Sequence, residues 1–171
     1  MRSREEELWE SAGDSDPGEV RIPPSSGSWL ARALESARAD TSAVRLAMHG
    51  SIRLSGWKTF RATQVISAEE GMVWKATVRM AGLPVKGYDR LLDCRGEMSW
   101  KLLGLIPVVR ESGPDVSRST AGRMAAEMIW LPQALCRPGV SWSRPEPGVA
   151  SARLSVCGED VRLDLAEGPG G

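Results

Sequence analysis

Asparagine does not occur anywhere in the 171 residues, histidine occurs once, and phenylalanine and tyrosine occur once each. The missing asparagine excludes N-glycosylation sequons and removes a residue that turns often use. With one histidine (His49) and three scattered cysteines (Cys94, Cys136, Cys157), no local ligand spacing for a metal exists, and none of the cysteines stands in a CxxC pair. An odd cysteine count implies no disulfide framework, so the expectation is a reduced, cytoplasmic protein. No stretch reaches the ~18–20 apolar residues of a membrane-crossing helix, and Met1 to Glu10 is charged where an export signal would be basic and then apolar. Basic runs are also lacking. With 22 basic and 22 acidic residues, there is no electrostatic footprint for a phosphate backbone, which argues against a nucleic-acid partner. No GxxxxGK, GxGxxG or GxSxG occurs, which leaves nucleotide phosphates without a cradle and a nucleophilic serine without its elbow.

What is present suits one β-rich domain: 42% hydrophobic and 26% charged residues over a length typical of a single domain. Residues 1–27 mix charge with glycine, proline and serine, a composition that buries too little apolar surface to offset ordering. They are expected to form a flexible leader with at most a helical turn through Arg4 to Glu10, ahead of a domain over 28–166 and a disordered tail over 167–171. Ser28 can cap a short helix on which Trp29, Ala33 and Ala37 share a face.

From Val44 the apolar period becomes two, with Val44, Leu46, Met48, Gly50, Ile52 and Leu54 on one face and His49 on the polar one. Strands of the same kind follow around Phe60 to Gln64, Trp74 to Met80, Pro84 to Asp93 and Gly96 to Leu103, separated by turn residues. Pro107 places the Gly104 to Val109 run at an edge, a bulge or a buried connection rather than in a central strand. Beyond Gly113-Pro114, with Asp115 or Ser117 as N-cap, Ala121, Met124, Ala125, Met128 and Leu131 form a helical stripe that Pro132 ends. Strands resume at Val140 to Ser143, Ala150 to Val156 and Val161 to Leu165. The resulting class is α+β, an antiparallel sheet packed against one main amphipathic helix, with a short N-terminal helix.

Several phrases together resemble a bacterial family catalogued as domain of unknown function 6544. They are His49 to Leu54, Gly71 to Ala76, Gly96-Glu97-Met98, Leu103 to Val108 and, most specifically, Arg123 to Leu135. Met72 and Met124 depart from the aromatic residues usual in that family, and Ser143 to Glu146 departs from its acidic turn. Members also tend to continue for several strands past the equivalent of Leu165, which gives the expectation of a short or truncated member with an unpaired sheet edge. The element order is similar to that of lipoprotein carriers and related lipid-binding proteins, in which a curved half-barrel sheet wraps around helices. That likeness implies an apolar cavity.

Candidate site residues follow from chemistry and periodicity. Trp74, Trp100, Met124, Met128 and Trp130 are expected to wall a space between sheet and helix, large indoles with adaptable thioethers suiting an apolar or amphipathic small molecule. They serve equally as core. Arg123 and Glu127, four apart, either form a solvated pair on the helix surface or face the sheet as a buried polar pair. Asp89 and Asp93 share one side of a strand, with Glu97 beyond a bend, and read as solvated charges. His49 reads as a surface histidine. No catalytic residue, metal or cofactor is expected, and an exposed sheet edge offers self-association as the alternative role.

Overall fold

The computed structural model describes residues 3–11, 22–23, 27–35 and 41–166. Most of the expected leader and the whole expected tail, 167–171, lie outside the described residues, as does Ala37. Six strands form an antiparallel meander in chain order: β1 (Ala43–Leu54), β2 (Gly56–Ser67), β3 (Gly71–Met80), β4 (Leu83–Leu92), β5 (Arg95–Leu102) and β6 (Ile106–Ser112). Pro107 sits in β6, at the sheet's edge, where a missing N–H costs no ladder bond, and the register shifts beside it at Trp100/Lys101. Helix α3 (Pro114–Glu127) follows, then 3₁₀ turns at Met128–Trp130 and Pro132–Cys136. The last strands, β7 (Ser141–Glu146), β8 (Val149–Val156) and β9 (Glu159–Ala166), form a separate three-stranded sheet. The fold is α+β.

Helix α3 starts two residues earlier than Asp115 as its cap would place it. Its N-cap is Gly113, with no side-chain cap, and Pro114 takes the first turn, where a missing N–H is harmless. Ser117 is used differently: its hydroxyl donates to the Gly113 carbonyl and accepts the Gly96 N–H, 2.8 Å away, fastening the helix to β5. Gly96 has to be glycine, because a Cβ there would lie 2.6 Å from the Ser117 backbone. One face of α3 packs on the six-stranded sheet, and contacts with β8 and β9 engage the small one. Met124, Met128, Leu131 and Leu135 thus share a core with Ile66, Met72 and Leu91 from one sheet and Leu154 and Val156 from the other. The helix α2 (Gly27–Glu35) adds fully buried Leu30. Ser28 lies inside that helix rather than capping it, and its hydroxyl accepts from Arg32.

Within the expected leader, Arg4–Ser11 forms helix α1 on the opposite face of the large sheet. Leu8 is fully buried against Val65 and Val73. Glu5 pairs with Lys75 and Arg90, and Trp9 stacks with Arg45 and Lys75. Contrary to the expectation of reduced cysteines, Cys94, in the β4–β5 turn, is disulfide-bonded to Cys157, in the β8–β9 turn, and Cys136 is free. Sixty-three residues separate the partners, and only the folding of the two sheets brings their turns together. The cysteines therefore no longer favour a reducing compartment.

Candidate functional site

Antiparallel register arranges the helix-facing side of the large sheet into transverse rows. The innermost is Val44, Ile66, Met72, Leu91 and Gly96; next come Leu46, Gln64, Trp74, Asp89 and Met98. Beyond these lie Met48, Ala62, Ala76, Gly87, Trp100 and Val109, and then Gly50, Phe60, Val78, Val85, Leu102 and Ile106. Helix α3 meets the two inner rows, with Ser117 at Gly96, Arg123 at Asp89 and Trp74, and Glu127 at Gln64.

The second row carries the polar centre. Arg123 Nη1 donates to Asp89 Oδ2 at 2.8 Å and its Nε to Glu127 Oε1 at 2.9 Å. Gln64, only 1% exposed, donates from Nε2 to Glu127 Oε2 and to the Met72 sulfur. Trp100 Nε1 donates to Asp89 Oδ1 at 3.1 Å. The Arg123 guanidinium carbon lies over the Trp74 ring, 4.7 Å from its centre, while its N–H groups serve two carboxylates. Burial pushes the Asp89 carboxyl above the usual aspartate range, although the Trp100 N–H and Arg123 both pull against that rise.

Arg123 and Glu127 therefore form an intrahelical pair and face the sheet at once. Asp89 is not a solvated strand charge; it is the strand-side anchor of the helix. Asp93 parts company with it, lying in the β4–β5 turn at φ 48° and pairing with Arg4. Glu97 faces the other side of the sheet, bonded by Tyr88 and Arg90. Burial opposes its ionisation, but those two donors hold its carboxyl below the usual glutamate range. His49 stands exposed on that same outer face, with Arg61 as its cross-strand neighbour.

Of the expected wall residues, Trp74 and Trp100 come together, ring centres 5.6 Å apart, with Phe60 edge-on to Trp74 at 6.2 Å. Beneath them the row is small: Ala62, Ala76 and Gly87. A Cβ on Gly87 would fall 2.4 Å from the Trp100 ring, so the indole lies directly over that glycine. Met124 and Met128 are buried in the main core, and Trp130 is 56% exposed beyond the end of α3. Sequence patterns did not single out Gln64 or Phe60 for this site. Gln64 had a signal, since it is the one amide on the apolar phase of β2, and a buried amide needs partners.

Among the described residues, no group of three or more His, Cys, Asp or Glu is placed to hold a metal, and no helix is long and apolar enough to cross a membrane. A model of a family of unknown function, DUF6544, matches residues 20–168. No curated protein and no solved structure matches the chain. Since that match spans most of the sequence, from α2 through β9, the chain belongs to the DUF6544 family.

Proposed function

We propose that this protein is a non-enzymatic binding module for an apolar or amphipathic small molecule held on the helix-facing side of its large sheet. The observation that carries the reading is the pair of outer rows. Met48, Phe60, Trp100, Leu102 and Val109 are apolar and only part-buried there, beyond the positions at which α3 meets the sheet. A ligand chain lying along these rows would have Phe60 and Trp100 as its wall, with Trp74 behind them. Met124 and Met128 would support that wall from the core. At the inner end, the Arg123, Asp89 and Glu127 cluster supplies fixed polar groups for a head group. Its single cation already has two carboxylates, so a head group that donates hydrogen bonds suits it better than an anionic one.

A dansyl-labelled medium-chain fatty alcohol tests this reading. Saturable fluorescence enhancement in the wild type, reduced at least tenfold in affinity by Trp100→Ala, is the expected result; no enhancement from the folded protein defeats the proposal. A second reading rests on β1, a 12-residue strand at the sheet edge. Its outward backbone groups offer a template for pairing with a second copy. Mass by light scattering that stays monomeric across a hundredfold concentration range counts against it.

A further inference from the structure

The meander brings three hairpin ends to one edge of the large sheet: β1–β2 at Ser55, β3–β4 at Ala81-Gly82, and β5–β6 at Leu103 to Leu105. Each carries large apolar side chains into solvent. These are Leu54 and Trp57, Leu83, and Leu103, Leu105 and Ile106; Trp57 is 71% and Leu105 81% exposed. Hairpin ends are ordinarily polar, and contiguous apolar exposure marks a contact surface. Leu103 also holds φ 55°, a left-handed conformation that glycine or asparagine would adopt more easily than a leucine. A leucine at such a position argues that its exposed side chain is used.

Charge around this edge has one sign. From the Met48, Ala62, Ala76, Gly87, Trp100 and Val109 row out to the hairpin ends, residues 48–62, 76–87 and 100–109 hold six lysines and arginines and no Asp or Glu, in a chain whose net charge is zero. On the outer face, one transverse row next to the hairpin ends reads His49, Arg61, Thr77, Lys86, Lys101. Lys86 and Lys101 stand directly opposite each other, an arrangement that destabilises a sheet unless an anion joins them. Neither these two nor Arg53, Lys58, Arg61 and Arg79 has an ion-pair partner among the described residues. Arg61, Lys86 and Lys101, with Thr63, Thr77 and Ser99, line an open concavity of about 520 Å³.

We infer that this edge docks on the surface of an anionic phospholipid bilayer. Trp57 and the leucines enter the boundary between head groups and acyl chains, where indoles and apolar tips are stable. The cationic row lies one residue back from the innermost of these apolar positions, about 3.3 Å along the strands, at the level of the phosphates. The β1–β2 hairpin runs four residues past the Phe60 row and so leads with Trp57. A neutral bilayer matches the apolar tips and leaves the cations unanswered, so anionic lipid is the occupant that both observations require.

Co-sedimentation of the full chain with vesicles of equal phosphatidylglycerol and phosphatidylcholine, against phosphatidylcholine alone, decides the matter. Binding only to the anionic vesicles, weakening as salt is raised, is expected. Lys86→Gln with Lys101→Gln should weaken it about fivefold per lysine, and Trp57→Ser with Leu105→Ser by tenfold or more. Both sites are solvated, so unchanged melting temperatures will show that the variants fold. Three results overturn the inference: no anionic-vesicle binding, equal binding to neutral vesicles, or binding that the variants leave intact. Dimers abolished by Trp57→Ser in a protein that ignores vesicles overturn it too, assigning the edge to a second copy. The tip variants leave Phe60 and Trp100 untouched, so probe binding at those rings reports on the other proposal separately.

Discussion

Replacing Arg123 by methionine keeps most of the side chain's apolar length and removes the one cation that two carboxylates share. Breaking a buried ion pair costs about 3–5 kcal/mol, because a charge is stranded, whereas exposed pairs contribute about 0.2–1 kcal/mol. The side chains of Arg123, Asp89 and Glu127 are 32%, 15% and 23% exposed, which places this cluster between those limits. Loss of Arg123 also removes the cation over Trp74 and leaves the Asp89 carboxylate with the Trp100 N–H alone. The expected destabilisation is about 2–3 kcal/mol, or a melting temperature lower by roughly 5–10 °C for a chain of this size. Urea unfolding of the single variants Arg123→Met and Asp89→Leu and of their combination measures the coupling directly. The double variant should recover part of the loss, since it strands no carboxylate on the strand side. A coupling below about 0.5 kcal/mol would refute the assignment of this cluster as the brace between helix and sheet.

Closing a loop of 63 residues is associated with about 4 kcal/mol of stability, so reduction or Cys94→Ser should lower the melting temperature by roughly 8–16 °C in calorimetry, and no change would mean that the two sheets are held without the bond. Gly122, in mid-helix with open space where a methyl group would project, should gain about 0.5–1 kcal/mol as alanine, whereas Gly96→Ala should destabilise by prising Ser117 off β5; equal effects in denaturant titrations would contradict the packing of α3. Asp89 binds its proton more tightly folded than unfolded, so its contribution to stability is present at low pH and lost as pH rises from the ordinary aspartate range near 3.8. The difference in melting temperature between Asp89→Asn and wild type should therefore grow in the variant's favour with rising pH, and a difference independent of pH would show that Asp89 is solvated.

Local periodicity made the strands and the main helix legible, because alternation in β1, β2 and β3 and the Ala121 to Leu131 stripe each depend on neighbours a few residues away. Pro107 likewise argued against a central strand through its missing N–H, and of an edge, a bulge or a buried connection the edge is where it lies. What stayed hidden depends on residues far apart in the chain. Cys94 and Cys157 meet only after two sheets form, and Asp89 finds Arg123 across 34 residues. The division into two sheets could not be read from strands that look alike, and Leu8 gave no sign that the outer face had a slot for it beside Val65 and Val73. At the candidate site, Trp74 and Trp100 were singled out by type and period, and the structure brings their rings together. Gly87 and Ala76, which make room for those rings, carry no signal of their own until register places them beneath the indoles.

Native mass spectrometry of the protein purified without detergent, followed by solvent extraction of whatever accompanies it, tests the binding proposal most directly. The account predicts a defined adduct of lipid-like mass that is present in the wild type and in Trp57→Ser and absent or much reduced in Trp100→Ala. An adduct-free wild type that also fails to acquire one from an added lipid mixture, while its unfolding stays cooperative, would contradict it.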